Sequence, residues 1–209
     1  MPPSPPTTSA LPQPPAPTIR VYQVVNHLLE VHTVPASGAA VATTALTALL
    51  TSPPHVAVSA GTAVVTGDQQ FTSDQIAEIV WTLTQFPTVE RVNLKGHRGL
   101  TRTDEASYAP PILIESPIGA APLPHTFHVS GAASVFEGTL VVELIQAGKV
   151  VFRRTVTATA GAPDLGAFDT VVHTTASGPK PITLTVYAPS AENGAPQHEV
   201  NEQIAISRP

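Results

Sequence analysis

Thr139 to Ala158 reads TLVVELIQAGKVVFRRTVTA, and this stretch decides the fold. Thr139 to Gln146 and Val150 to Ala158 are runs of β-branched and apolar residues on either side of Ala147-Gly148. Such residues fit a pleated, half-buried surface, and a turn pair ending in glycine joins them, so the stretch predicts two strands and a tight connection. Outward from it, Ile112 to Glu115, Thr126 to Gly131, Ala167 to Thr174, Ile182 to Ala188 and Glu199 to Ser207 are strands by the same reasoning. Ser177-Gly178-Pro179 and Asn193-Gly194 mark turns between them, and no amphipathic helical period interrupts the series. Seven short strands with turn signals predict a β-sandwich over residues 111–209. Its alternation places Ile182, Leu184 and Val186 toward the core, with Val200, Ile204 and Ile206 repeating the pattern, and turns Thr183, Thr185 and Tyr187 outward. Phe127, Phe136, Phe152 and Phe168 are placed to fill the space between sheets. The chain has no cysteine, so this core relies on packing without an immunoglobulin-type disulfide.

Upstream the pattern changes. Ile19 to Val25 (IRVYQVV) and Leu28 to Val34 (LLEVHTV) form a strand pair around Asn26-His27. Val41, Ala42, Ala45, Leu46, Leu49 and Leu50 recur at helical spacing between a Ser37 cap and the stop at Pro53-Pro54. A strand at Thr62 to Thr66 leads to Gly67-Asp68. Thr72 and Gln75 then have the spacing of a capping box before Ile76, Ile79, Val80 and Leu83. Pro87 stops this second helix near Phe86. Val89 to Leu94 is a last strand, closing the unit at Gly96. The order predicts a small α+β domain over residues 19–98, with two helices on one face of a mixed sheet. A polar linker at 99–110 separates it from the sandwich.

The 209 residues include 23 prolines and only 12% charged residues, against 42% apolar ones, so the chain has enough apolar surface to bury and too little charge to stay unfolded. Fifteen acidic residues against ten basic give a net charge of -5, the wrong sign for phosphate backbones, which excludes a nucleic-acid partner. No run of apolar residues is long enough to span a bilayer. Residues 1–18 (MPPSPPTTSALPQPPAPT) read as a disordered proline-rich spacer, extended at about 3.1 Å per residue where proline dominates. Spacers of this kind often separate an envelope anchor from a domain, and neither a basic n-region nor an apolar h-region stands here. We therefore expect a signal or anchor segment upstream of this start.

Tests for chemistry come out negative. Of the eight histidines, His27 and His32 lie five apart around a turn, and His125 and His128 sit on opposite faces of one strand, so no metal set is expected. A wall hydrolase needs two carboxylates flanking a bond. Glu137, Glu143, Asp164 and Asp169 are the acids available, and they read as turn formers or solvated residues. The chain contains no G-x-S-x-G elbow and no phosphate-binding glycine loop, so neither catalytic residues nor a cofactor is assigned. Trp81 beside the apolar stripe and Phe86 at its end read first as core. They also mark the helix where a partner would dock, alongside the edge strands, and Tyr108 and Tyr187 are the candidates for exposed contacts.

Two longer stretches carry a family resemblance. Ile79 to Leu94 (IVWTLTQFPTVERVNL) resembles the C-terminal half of the sporulation and spore germination domain called GerMN. Pro110 to Leu144 (PPILIESPIGAAPLPHTFHVSGAASVFEGTLVVEL) resembles the immunoglobulin-like domain of bacterial spore germination-type proteins. Val156 to Ala162 (VTATAGA), Gly166-Ala167-Phe168 and Tyr187 to Asn193-Gly194 continue that likeness, with SPIGA and SGAASVFEG its most specific blocks. The resemblance implies an extracytoplasmic, lipoprotein-like protein of the bacterial cell envelope, with two non-catalytic domains, no cofactor and no transferable catalytic residue. GerMN-like domains are similar to ring-building modules, which implies a scaffold acting by self-association or by binding envelope proteins. A cell-wall glycan-binding module, with peptidoglycan as its ligand, is the alternative.

Overall fold

A computed structural model describes residues 17–36, 41–52, 54–119, 121–176 and 181–207. The spacer before residue 17, the Ser37 cap, Pro53 of the helix stop and the Ser177-Gly178-Pro179 turn lie outside the described residues. The protein is mostly β, with two α-helices and strands arranged in several sheets.

Strands β1 (Thr18–Val25) and β2 (Leu28–Pro35) pair antiparallel in unbroken register from Thr18↔Pro35 to Val25↔Leu28. Asn26 and His27 alone make the turn, with φ of 51° and 65°. Two positive φ values give the turn whose twist matches that of the strands it joins. Helix α1 (Val41–Leu49) and strands β3 (His55–Ser59) and β4 (Thr62–Thr66) follow. Helix α2 (Ser73–Leu83) starts at the capping box read from the sequence: Thr72 accepts from the Gln75 N–H, and the Gln75 side chain accepts from the Thr72 N–H. Strands β5 (Arg91–Leu94) and β6 (His97–Leu100) complete a sheet ordered β3-β4-β5-β6. Only β4 and β5 run parallel, because α2 carries the chain back across the sheet between them.

The two helices cover one face of this sheet through Leu46, Ile79, Val80 and Leu83 against Ala63, Val65 and Val92. The expected single sheet is corrected here: the β1-β2 hairpin does not join it but packs on the helices, with Ile19 and Val21 against Ala45. The free edge of β1 is satisfied by α2. The N–H groups of Arg20, Tyr22 and Val24 donate to Gln85 Oε1 (3.1 Å), Thr82 Oγ1 (3.1 Å) and Glu78 Oε1 (2.9 Å). Strands β3 and β6 were not expected. β3 is a five-residue edge strand with little buried, and β6 carries a single apolar residue, so neither leaves a periodic signal. β6 also runs across residue 98, where the first domain was expected to end.

All seven strands expected beyond the linker are present: β7 (Ile112–Ser116), β8 (Thr126–Ala133), β9 (Thr139–Gln146), β10 (Lys149–Thr157), β11 (Gly166–His173), β12 (Ile182–Pro189) and β13 (Pro196–Ile204). They form antiparallel sheets ordered β10-β9-β12-β13 and β11-β8-β7. One apolar cluster lies between them, with Leu140, Val142, Leu144, Ile182, Leu184 and Val186 from the first sheet meeting Ile112, Val129, Phe168 and Val172 from the second. Two expectations are corrected. Thr185 and Tyr187 point away from this core but are only 3% and 4% exposed, because neighbouring side chains of the same face cover them. Phe136, expected inside, is 66% exposed. Its loop stacks backbone on backbone: a Cβ on Gly138 would lie 2.7 Å from Ala160 O, and one on Gly161 2.6 Å from Gly138 N. That contact leaves no room for a ring underneath, so Phe136 turns to solvent.

Candidate functional site

The chemistry of this chain concentrates at the joint between the α/β unit and the sandwich. Leu100 ends β6, and two residues later Arg102 enters the gap between the units, with side chains from β1, α2 and β7 around it. Its Nη1 pairs with Glu115 Oε1 at 2.7 Å, Nη2 donates to Tyr22 OH (3.2 Å) and Trp81 O (3.4 Å), and Nε donates to Thr84 Oγ1 (3.0 Å). The guanidinium lies 4.6 Å from the centroid of the Trp81 ring and 5.3 Å from that of Tyr22, within the range of cation–π attraction. The Tyr22 hydroxyl in turn donates to Glu115 Oε1, and Arg20 Nη1 donates to the Glu115 carbonyl (3.1 Å). Burial first, and the Glu115 carboxylate second, push the Tyr22 phenol above its ordinary pKa, which keeps it a neutral donor. An apolar layer of Tyr22, Leu29 and Trp81 from the first unit meets Leu113 and Ala132 from the sandwich. Among the described residues no buried side-chain nitrogen or oxygen lacks a hydrogen-bond partner, and these bonds across the joint hold the two units in one orientation.

The structure places each residue singled out for contact. Trp81 is fully buried in the joint, its indole N–H toward Glu105 O at 3.5 Å, so it belongs to the core and presents no surface to a partner. Phe86 is half-buried and packs against both clusters of the first unit. Tyr108 is half-buried with its hydroxyl on Asp74 Oδ1 at 3.0 Å, at the start of α2. Tyr187 is brought into a group that the sequence did not disclose. Its hydroxyl donates to Glu143 Oε1 (3.2 Å) and accepts from Arg153 Nη2 (2.6 Å), while Arg153 Nε pairs with Glu143 at 2.9 Å. Glu143 is 7% exposed, so the expectation of a solvated acid is corrected: a cross-strand cation neutralises it.

The histidines disperse. His128 meets Asp169 (2.8 Å), His125 meets the Thr174 carbonyl (3.0 Å) and His32 lies 3.7 Å from Glu30. Among the described residues no three metal-ligating side chains converge. A groove of about 370 Å³ opens between β2 and the sandwich, with Leu29, Val31, Ile114, Ile118 and Val200 as walls and Glu202 on its rim. Burial raises the Glu202 carboxyl above its ordinary pKa. Among the described residues no helix is long and apolar enough to cross a membrane.

Compared with known proteins, the chain matches no curated protein and no solved structure. Residues 111–195 are similar to the immunoglobulin-like domain of bacterial spore germination, whose family model they match.

Proposed function

We propose that this chain is a non-catalytic protein of the bacterial cell envelope, germination-related, acting outside the cytoplasm as a scaffold through protein–protein association. The observation that carries the reading is the match of residues 111–195 to the immunoglobulin-like domain of bacterial spore germination. In this reading residues 19–98 are a GerMN-like α+β domain, and residues 99–110 connect it to an immunoglobulin-like sandwich at 111–209. The joint around Arg102 supports the assignment, because a scaffold needs its contact surfaces held at fixed angles and the matched polar groups supply that rigidity. Of the four aromatics singled out for contact, Phe86 and Tyr108 are half-buried and offer surface to a partner, while Trp81 and Tyr187 act from inside.

Sedimentation velocity of the full chain, alone and with purified envelope proteins, tests the reading. The expected result is a saturable complex of fixed stoichiometry. Clearing of peptidoglycan in a zymogram would replace the reading with a hydrolase, and co-sedimentation with purified peptidoglycan in the absence of any protein complex would replace it with a glycan-binding module.

A further inference from the structure

The four-stranded sheet of the sandwich has two open edges of opposite charge. β10 carries Lys149, Arg153 and Arg154 and no acid, whereas β13 carries Glu199 and Glu202 and neither lysine nor arginine. Among the described residues each strand pairs with one neighbouring strand only, the chain beyond β13 pairing with Leu123 from residue 205 onward, so β10 and β13 each offer an unpaired row of backbone donors and acceptors. A bulge interrupts each strand near its start, between Val150 and Phe152 in β10 and around His198 (φ 53°) in β13. Beyond the bulges, residues 152–157 and 200–204 are regular edges.

Direction and facing also match. β10 and β12 are both antiparallel to β9, and β13 is antiparallel to β12, so β10 and β13 run in opposite senses. A second copy moved along the sheet without being turned over therefore presents its β13 antiparallel to β10, the more stable pairing. Phe152, Arg154 and Val156 lie on the core-side face through their partners Leu144, Val142 and Leu140. Val200, Glu202 and Ile204 lie on the same face through Val186, Leu184 and Ile182. The register that sets Phe152 opposite Ile204 also sets Arg154 opposite Glu202 and Val156 opposite Val200, while a shift of two residues keeps the faces but separates the charges. Glu202 has no hydrogen bond or ion pair among the described residues. Arg154 uses Nη1 on Thr170 Oγ1 (3.3 Å) and Val171 O (3.0 Å) with its guanidinium 5.8 Å from the centroid of the Phe152 ring, and Nη2 has no hydrogen bond among the described residues.

We infer that copies of this chain join edge to edge, β10 of one against β13 of the next, with Arg154 facing Glu202 of the neighbouring copy. The contact is head-to-tail, so each added copy exposes the same two edges, and assembly proceeds to a ring or an open filament. The inference rests on the association reading above and names a second copy as the partner.

The test is sedimentation velocity of the full chain over a wide concentration range. Self-association is expected, and Arg154→Glu or Glu202→Arg alone weakens it about tenfold or more. An equimolar mixture of the two variants recovers it, since each altered edge meets its complement on the other variant; only folded chains can give that rescue. Because the chain has no cysteine, a single chain carrying Thr155→Cys and Asn201→Cys also reports the register, with a disulfide-linked ladder expected under mild oxidation. Self-association that neither reversal weakens, or a mixture that does not recover, overturns the edge pairing and leaves the association reading standing. A monomer at every concentration also overturns it, and a saturable complex with an envelope protein would then preserve the broader reading; without that complex both fall.

Discussion

Arg102 faces a carboxylate, two aromatic rings, a carbonyl and a hydroxyl at once, with its side chain 24% and that of Glu115 11% exposed. Removing one member of such a pair leaves the other charge buried without compensation, which costs about 3–5 kcal/mol. Arg102→Met should therefore lower stability by that amount in urea unfolding followed by the fluorescence of Trp81, the single tryptophan. A loss below about 1 kcal/mol would place the pair with solvent-exposed ones. Arg102→Lys should restore only part, because an ammonium cannot serve the planar set of acceptors. Tyr22 adds a pH dependence. Its folded-state pKa is raised above the unfolded value of about 10, so the folded chain holds the phenolic proton after the unfolded chain has released it. Stability is full below about pH 10 and falls above it, by about 1.4 kcal/mol per pH unit for one proton. Tyr22→Phe should flatten that slope in urea midpoints taken between about pH 9 and 11, and an unchanged slope would assign it to another group. Of this site the sequence singled out only Trp81, and nothing there linked it to Arg102, Glu115 or Tyr22. Arg102 stands in a polar stretch, Glu115 at the end of a strand and Tyr22 inside another, and only the packing of the two units brings them together.

At the scale of elements, α2 and β1 depend on each other. Thr82 is fully buried and receives the Tyr22 N–H, so Thr82→Val, which keeps the shape and removes the acceptor, should cost about 1–3 kcal/mol, while Thr82→Ser should cost less than about 1. Equal losses in the two variants would show that the methyl group, not the hydroxyl, holds the strand. Gly161→Ala should be destabilising by about 1–3 kcal/mol, since its Cβ would meet backbone at 2.6 Å and the stacked loop under Phe136 cannot yield as a flexible side chain would. A melting temperature equal to that of the parent would show that the loop opens freely. Elements with a strong period were readable in advance: α2 with its capping box, the β1-β2 pair, and all seven strands of the sandwich. β3 and β6 were not, because the apolar run of β3, Val56 to Val58, is too short to show a period and β6 carries a single apolar residue. The Glu143–Arg153 pair escaped for a different reason. Counting back from Ala147-Gly148 without a bulge sets Phe152 opposite Glu143, and the extra residue at Val151 moves Arg153 there instead.

For the whole molecule, Tyr22, Leu29, Trp81, Leu113 and Ala132 form one apolar layer shared by both units, so neither buries its full surface alone. We expect a single unfolding transition, with Trp81 fluorescence and far-ultraviolet circular dichroism superimposing. Two separated transitions would show that the joint transmits no stability between the units.

The three bonds from β1 to α2 have the geometry of a vernier. Arg20 to Val24 spans about 13.6 Å at the strand's rise of about 3.4 Å per residue, while the seven residues from Gln85, in the turn just past α2, back to Glu78 would rise only about 10.5 Å at a helical 1.5 Å per residue. With Tyr22 and Thr82 in register, the two scales differ by about 2.3 Å at the Arg20–Gln85 end and by about 0.8 Å at the Val24–Glu78 end. Side-chain length absorbs the drift: the short threonine stands at the centre, and the longer Gln85 and Glu78 lean outward to the ends. At the Arg20 end the series stops because α2 ends at Leu83 and only the turn residue Gln85 lies beyond it to receive a strand donor. A longer hairpin on this scaffold would have to leave its additional backbone donors to water or to another strand.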